Sequence, residues 1–169
     1  MKKSIRKLVF TALVAALCCV ATLVIHIPSP LGGYINLGDC IVLAGAWLLG
    51  PLYGFLAAGI GSALADVFLG YFVYAPATFV IKGLVAVLAF VIFKSLGKIK
   101  SKSVVYIISG VVAEILMVAG YYVFEGFMYG FAESLVNIPP NMVQGIVGVA
   151  AGTALAVILA KTRVSRLMK

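Results

Sequence analysis

The chain has 169 residues, 64% of them apolar and only 11% charged, less than half the charged share usual in soluble domains. A water-soluble fold of this length has too little interior to hide so much apolar surface, so part of its solvent is lipid. The net charge of +8 is not a nucleic-acid footprint, because every Lys and Arg except Lys82 falls in one of three groups at the ends of apolar runs: Lys2, Lys3, Arg6, Lys7; Lys94, Lys98, Lys100, Lys102; and Lys161, Arg163, Arg166, Lys169.

A first membrane helix is expected over residues 5–27, stopped by Pro28, Pro30, Gly32 and Gly33. A short second helix follows over 37–49 and breaks at Gly50-Pro51. A third covers 52–69, and a fourth, after a loop at 70–76, covers 77–96. Beyond the second basic group a fifth covers 104–124. The sixth starts at Ile138-Pro139-Pro140 and runs to 160. With six helices the three basic groups share one side, and the loops at 28–36, 70–76 and 125–137, which contain no Lys or Arg, share the other. The positive-inside rule then places both termini in the cytoplasm. The expected fold is all-α: a polytopic six-transmembrane-helix bundle forming a single domain over 1–169.

Small residues one turn apart, at Gly50 and Gly54, Ala58 and Ser62, and Gly148 and Gly152, let helix backbones approach closely, and internal packing accounts for them. Ala12 and Ala16 lie on one face of a helix otherwise rich in Leu and Val, a face that packing inside the bundle or a partner helix can use. Cys18, Cys19 and Cys40 have no metal-ligand spacing and read as small buried hydrophobes. His26 reads as an interfacial residue.

Ionisable groups within a bilayer are costly, and each is a candidate site residue. Asp39 opens the second helix, Asp66 lies late in the third, Lys82 early in the fourth, and Glu114 near the middle of the fifth. Glu125 and Glu133 are assigned to the outer loop. Lys82 has no flank to explain it, so a carboxylate partner is expected among Asp39, Asp66 and Glu114, either as a structural pair or beside a ligand. In the sixth helix Asn137, Asn141, Gln144 and Gly148 recur at i, i+4, i+7 and i+11 and form one polar stripe that must face the bundle interior. Glu114, Tyr121 and Glu125 share a face of the fifth helix, and Thr78 lies one turn before Lys82. Tyr34, Asn36, Tyr71 and Tyr74 add aromatic and polar groups on the outer side. Aromatic walls with a few fixed polar groups suit a small planar ligand. No HExxH, CxxC or GxSxG pattern occurs, and no P-loop. The chain therefore reads as a non-enzyme that needs no cofactor or metal.

Several stretches carry a family resemblance: Ala12-Leu-Val-Ala-Ala16, Tyr34-Ile-Asn-Leu-Gly-Asp39, Gly61-Ser-Ala-Leu-Ala-Asp66 followed by Gly70-Tyr71, and Tyr74-Ala-Pro-Ala-Thr-Phe-Val-Ile-Lys-Gly83. In this order they resemble the S components of energy-coupling factor (ECF) vitamin transporters, riboflavin-type branch. The resemblance implies a subunit in the cell membrane of a prokaryote that captures a water-soluble vitamin (riboflavin, hydroxymethylpyrimidine or a pyridoxine-like heterocycle) from outside. It implies docking through Ala12 and Ala16 onto a transmembrane coupling subunit, itself bound to two cytoplasmic ATPases. By position it assigns substrate binding to Asn36, Asp39, Tyr74, Thr78, Lys82, Glu114, Tyr121, Asn141 and Gln144. Two other readings use the same residues: a stand-alone ion-coupled secondary transporter, with Lys82, Asp66 and Glu114 relaying protons, and a small membrane enzyme or assembly factor, which lacks a catalytic set.

Overall fold

The structure is a computed structural model that describes residues 3–162. Of the basic groups, Lys2, Arg163, Arg166, Lys169 and the Lys3 side chain lie outside the described residues. Helix α1 (Lys3–Val24) is followed by a hairpin of β1 (His26–Pro28) and β2 (Tyr34–Asn36), then α2 (Gly38–Leu49), α3 (Pro51–Leu69), α4 (Ala75–Ser95), α5 (Lys102–Tyr129), a four-residue α6 (Phe131–Ser134), a 3-10 turn (Leu135–Asn137) and α7 (Ile138–Lys161). Among the described residues α1, α3, α4, α5 and α7 are long and apolar enough to cross a bilayer, and α2 is a shorter apolar helix. The six expected helices are all present, with α7 as the sixth.

The short α2 is the centre of the bundle. Ten of its twelve residues are buried, enclosed by α1, α3, α4 and α7. Val42, Leu43 and Ala46 meet Val85, Ala86 and Ala89 of α4 and Ala113 and Met117 of α5 in one core. The Trp47 indole N–H donates to Ser109 Oγ at 3.1 Å, so a buried polar handle has its partner. The outer faces are apolar, with Leu8, Leu13, Leu17 and Val20 of α1 and Ile115 of α5 all exposed. That is an inside-and-outside apolar pattern that only lipid tolerates.

The small-residue pairs serve internal packing. A Cβ on Gly54 would lie 3.1 Å from Ala46 Cα, and Ala58 and Ser62 are buried. A Cβ on Gly148 would stand 2.8 Å from Asp39 Cβ, and one on Gly152 would lie 3.2 Å from the Cys40 carbonyl oxygen. The α7 stripe is therefore where α2 comes closest. The three cysteines are free and buried, and Cys18 Sγ lies 3.3 Å from Ser62 Oγ.

Two boundaries differ from expectation. Helix α1 stops at Val24 rather than 27, because His26, Ile27 and Pro28 pair antiparallel with Asn36, Ile35 and Tyr34. The expected loop at 28–36 is thus mostly a hairpin. The other difference is at α5, which continues to Tyr129 and ends at Gly130, whose φ of +106° is a left-handed conformation that favours glycine. Gly126 does not break the helix. It makes room for the Phe131 ring, which a Cβ there would meet at 2.4 Å. Glu125 consequently belongs to a helix and is buried, not to an outer loop, and Glu133 lies in α6.

Candidate functional site

The site grows from one problem: the chain between β1 and α2 descends into the bundle as irregular backbone. Asp39 is the second residue of α2, yet it faces Gly148, ten residues or about 15 Å along α7 from Ile138. Backbone at that depth is tolerated only if protein groups satisfy its donors and acceptors. The polar stripe of α7 does so. Asn137 Oδ1 accepts from Leu31 N at 3.3 Å, and Gln144 Oε1 accepts from Asn36 N at 2.8 Å. Asn36 turns its own Oδ1 onto Gly38 N at 2.8 Å and so caps the start of α2 from two residues upstream.

Below this lies an ion pair. Lys82 Nζ donates to Asp39 Oδ1 at 2.5 Å, with both side chains buried. Gln144 Nε2 donates to the other oxygen, Oδ2, at 2.6 Å. Of the three possible carboxylate partners, Lys82 takes Asp39. Its ammonium also stands 5.5 Å from the centroid of the Tyr121 ring, a cation–π distance. Tyr121 in turn donates its hydroxyl to Thr78 Oγ1 at 3.1 Å.

Above the pair, a narrow polar cleft opens among the ends of α1, α3, α4 and α5 and the start of α7. Its free space, open mouth included, is about 430 Å³, divided into thin gaps between side chains rather than gathered into one chamber. Tyr34, Tyr71 and Tyr74 form an aromatic row, with ring centroids 4.9 Å apart for the first two and 6.2 Å for the second two. The Tyr34 hydroxyl donates to Asp66 Oδ1. Burial, reinforced by that neighbouring carboxylate, pushes the Tyr34 hydroxyl well above its ordinary range, so it remains a donor. At the mouth, Glu125 Oε1 accepts from Asn137 Nδ2 at 2.9 Å and from the Tyr74 hydroxyl at 3.4 Å.

This fold and this cleft belong to a known group. The model of the family described as "ECF-type riboflavin transporter, S component" matches residues 2–161. The chain belongs to that family. The S component is a substrate-binding subunit of an ECF transporter and a multi-pass membrane protein. It is 36% identical over 146 residues to an uncharacterised protein of Pyrococcus woesei, covering 84% of this chain and 93% of that one. It is 27% identical over 162 residues to the thiamine precursor transporter HmpT of Lactococcus lactis subsp. cremoris (strain MG1363), covering 95% and 91%. A solved structure described as the S component of a bacterial ECF transporter superposes with a TM-score of 0.69 at 23% identity, covering 93% of this chain and 96% of that one, which shows a shared fold.

Within this S component, Asn36, Tyr74, Thr78, Lys82, Tyr121, Asn141 and Gln144 line the cleft. Asp39 and Glu114 do not. Asp39 is wholly buried beneath the cleft, behind Lys82. Glu114 sits behind α7, against Gly145 and Gly148, and borders an apolar groove between α5 and α7 with Ile107, Val111 and Ile146. Four polar lining residues were not expected: Thr22, Ser62, Asp66 and Glu125. Asp66 carried a signal in the sequence, an aspartate late in a membrane helix with no basic residue within a turn of it. Glu125 was hidden by the misplaced end of α5. Ala12 and Ala16 are exposed on the outer face of α1, away from the cleft.

Proposed function

We propose that this S component captures a vitamin-type heterocycle, of the riboflavin, hydroxymethylpyrimidine or pyridoxine-like class, at the outer face of a prokaryotic cell membrane. On this reading it passes the ligand to a transmembrane coupling subunit driven by two cytoplasmic ATPases. The observation that carries the proposal is the placement of the cleft. It lies at the hairpin end of the bundle, opposite the end that bears Arg6, Lys7, Lys94, Lys98, Lys100, Lys102 and Lys161, and the positive-inside rule makes that basic end cytoplasmic. Aromatic walls with few fixed polar groups support a small planar ligand. The exposed Ala12 and Ala16 support α1 as the docking helix, since small residues allow a partner backbone to approach.

The test has two arms. Purified protein in nanodiscs is titrated with riboflavin, hydroxymethylpyrimidine and pyridoxine, and binding of at least one is expected. Vesicles holding this chain alone are expected to show no uptake, whereas vesicles that also hold the coupling subunit and ATPases show ATP-dependent uptake. Uptake by the chain alone that collapses with the proton gradient would replace this reading with a secondary transporter.

A further inference from the structure

The charge balance of the cleft is unusual and selects among ligands. Among the described residues that line it, Lys82 is the sole cation, and its ammonium is already committed to Asp39. Two other carboxyl groups line the same cleft, Asp66 and Glu125. Each is buried, at 3% and 2% exposure, and each keeps one oxygen, Oδ2 and Oε2, without a hydrogen-bond partner. Thr78 lies beside Asp66 but closes no hydrogen bond to Oδ2. A buried carboxyl oxygen left unpaired is costly, so these atoms mark places where a donor belongs. The aromatic row of Tyr34, Tyr71 and Tyr74 links the two: Tyr34 holds Asp66 and Tyr74 holds Glu125.

We infer that Asp66 is the specificity-determining residue of the cleft, and that it selects a single-ring heterocycle with an amidine edge, meaning a ring nitrogen next to an exocyclic amine. This rests on the capture role proposed above and narrows it. An amidine edge and a carboxyl group share one proton and close two parallel hydrogen bonds, whether the pair is amidinium with carboxylate or amidine with carboxylic acid. Asp66 Oδ1 has a second lone pair beyond the one Tyr34 uses, so both oxygens remain able to take part. The Tyr34 and Tyr71 rings stand beside this edge as stacking surfaces. Glu125 Oε2 takes a second donor, such as a hydroxymethyl group, nearer the mouth.

The same geometry disfavours two other ligand types. An imide edge, as in riboflavin, presents a carbonyl on each side of its N–H and would set both against Asp66. Three fused rings also exceed a cleft whose space is split into thin gaps. A phosphate ester or carboxylate would face two carboxyl groups with no uncommitted cation.

The decisive measurement is calorimetric titration of the protein in nanodiscs with four probes: 4-amino-5-hydroxymethyl-2-methylpyrimidine, the same ring with an oxo group in place of the amine, the phosphate ester of the amine, and riboflavin. The amine is expected to bind tightest, with the oxo ring weaker by about ten- to a hundredfold. Asp66→Asn keeps an acceptor for Tyr34 and adds a donor, so it is expected to invert the order of the amine and oxo rings. The wild-type ranking tests the assignment even if that variant folds poorly. Riboflavin binding more tightly than the amine, or a folded Asp66→Asn protein that leaves the order unchanged, overturns the assignment and leaves vitamin capture standing. Binding of none of the four overturns the capture role itself, and the assignment with it.

Discussion

At the scale of single residues, the Lys82–Asp39 pair shows how an intramembrane charge is made tolerable. Both groups are buried, and removing one partner leaves the other uncompensated, at a cost of about 3–5 kcal/mol. Lys82→Met is therefore expected to lower the melting temperature of the detergent-solubilised protein sharply, and adding Asp39→Leu is expected to recover most of the loss. No recovery in the double variant would mean that the ammonium stabilises the bundle through Tyr121 rather than through Asp39. Gln144 has a separate role. Its carboxamide serves Asn36 N and Asp39 Oδ2 at once, so Gln144→Leu strands a buried donor and a buried acceptor. A stability loss of about 2–5 kcal/mol is expected by chemical denaturation, near twice the cost of one unsatisfied group. A change below about 1 kcal/mol would show that water replaces it.

At the scale of elements, the controlling contact is α2 against α7. Gly148 faces Asp39 with no room for a side chain, and Gly148→Leu is expected to push α2 outward, lengthen the Lys82–Asp39 contact and cost about 1–3 kcal/mol. Hydrogen exchange reads this directly, since the amides of Asn36 and Cys40 should lose protection before those of α3 and α4. Equal loss along all helices would mean that the glycine serves global packing alone. This element also shows what the sequence could reveal. The Asn137–Asn141–Gln144–Gly148 stripe was legible as inward-facing, because carboxamides cannot face lipid. Its partner was not legible, because a stripe says that something polar lies opposite without saying whether that is a ligand or a descending backbone. The hairpin escaped for a related reason. Residues 26–28 and 34–36 are too few to carry a period-two pattern, and Pro28 argues against a strand unless it sits on an edge, which a two-stranded hairpin supplies. Lys82 announced its need for a carboxylate, but only packing decided that Asp39, and not Asp66 or Glu114, stands within 2.5 Å. Asp66, left with a free oxygen, then moved from an alternative partner to a cleft residue.

At the scale of the whole molecule, the two ends of the bundle divide the work, and α1 connects them. Thr22, near its hairpin end, lines the cleft, and its middle presents Ala12 and Ala16 to the outside while Val14, Ala15 and Cys18 pack inward. An outward small-residue face gives this chain little packing benefit, since lipid tails fill against Leu as well as against Ala, but it lets a partner helix come close. Enlarging both alanines to leucine leaves the inward face and the cleft untouched, so vitamin affinity in nanodiscs is expected to stay within about twofold. The same change overpacks a docked partner by about 1–3 kcal/mol, a ten- to hundredfold loss in association at about 1.4 kcal/mol per tenfold. ATP-driven uptake in vesicles reconstituted with the coupling subunit and ATPases should fall accordingly, and co-purification of the partners should weaken in parallel. Parallel loss of vitamin affinity would place the α1 face in the binding machinery. Unchanged uptake would move the docking surface to another of the exposed helices, α3 being the nearest because it packs directly on α1 and exposes Leu64 and Phe68.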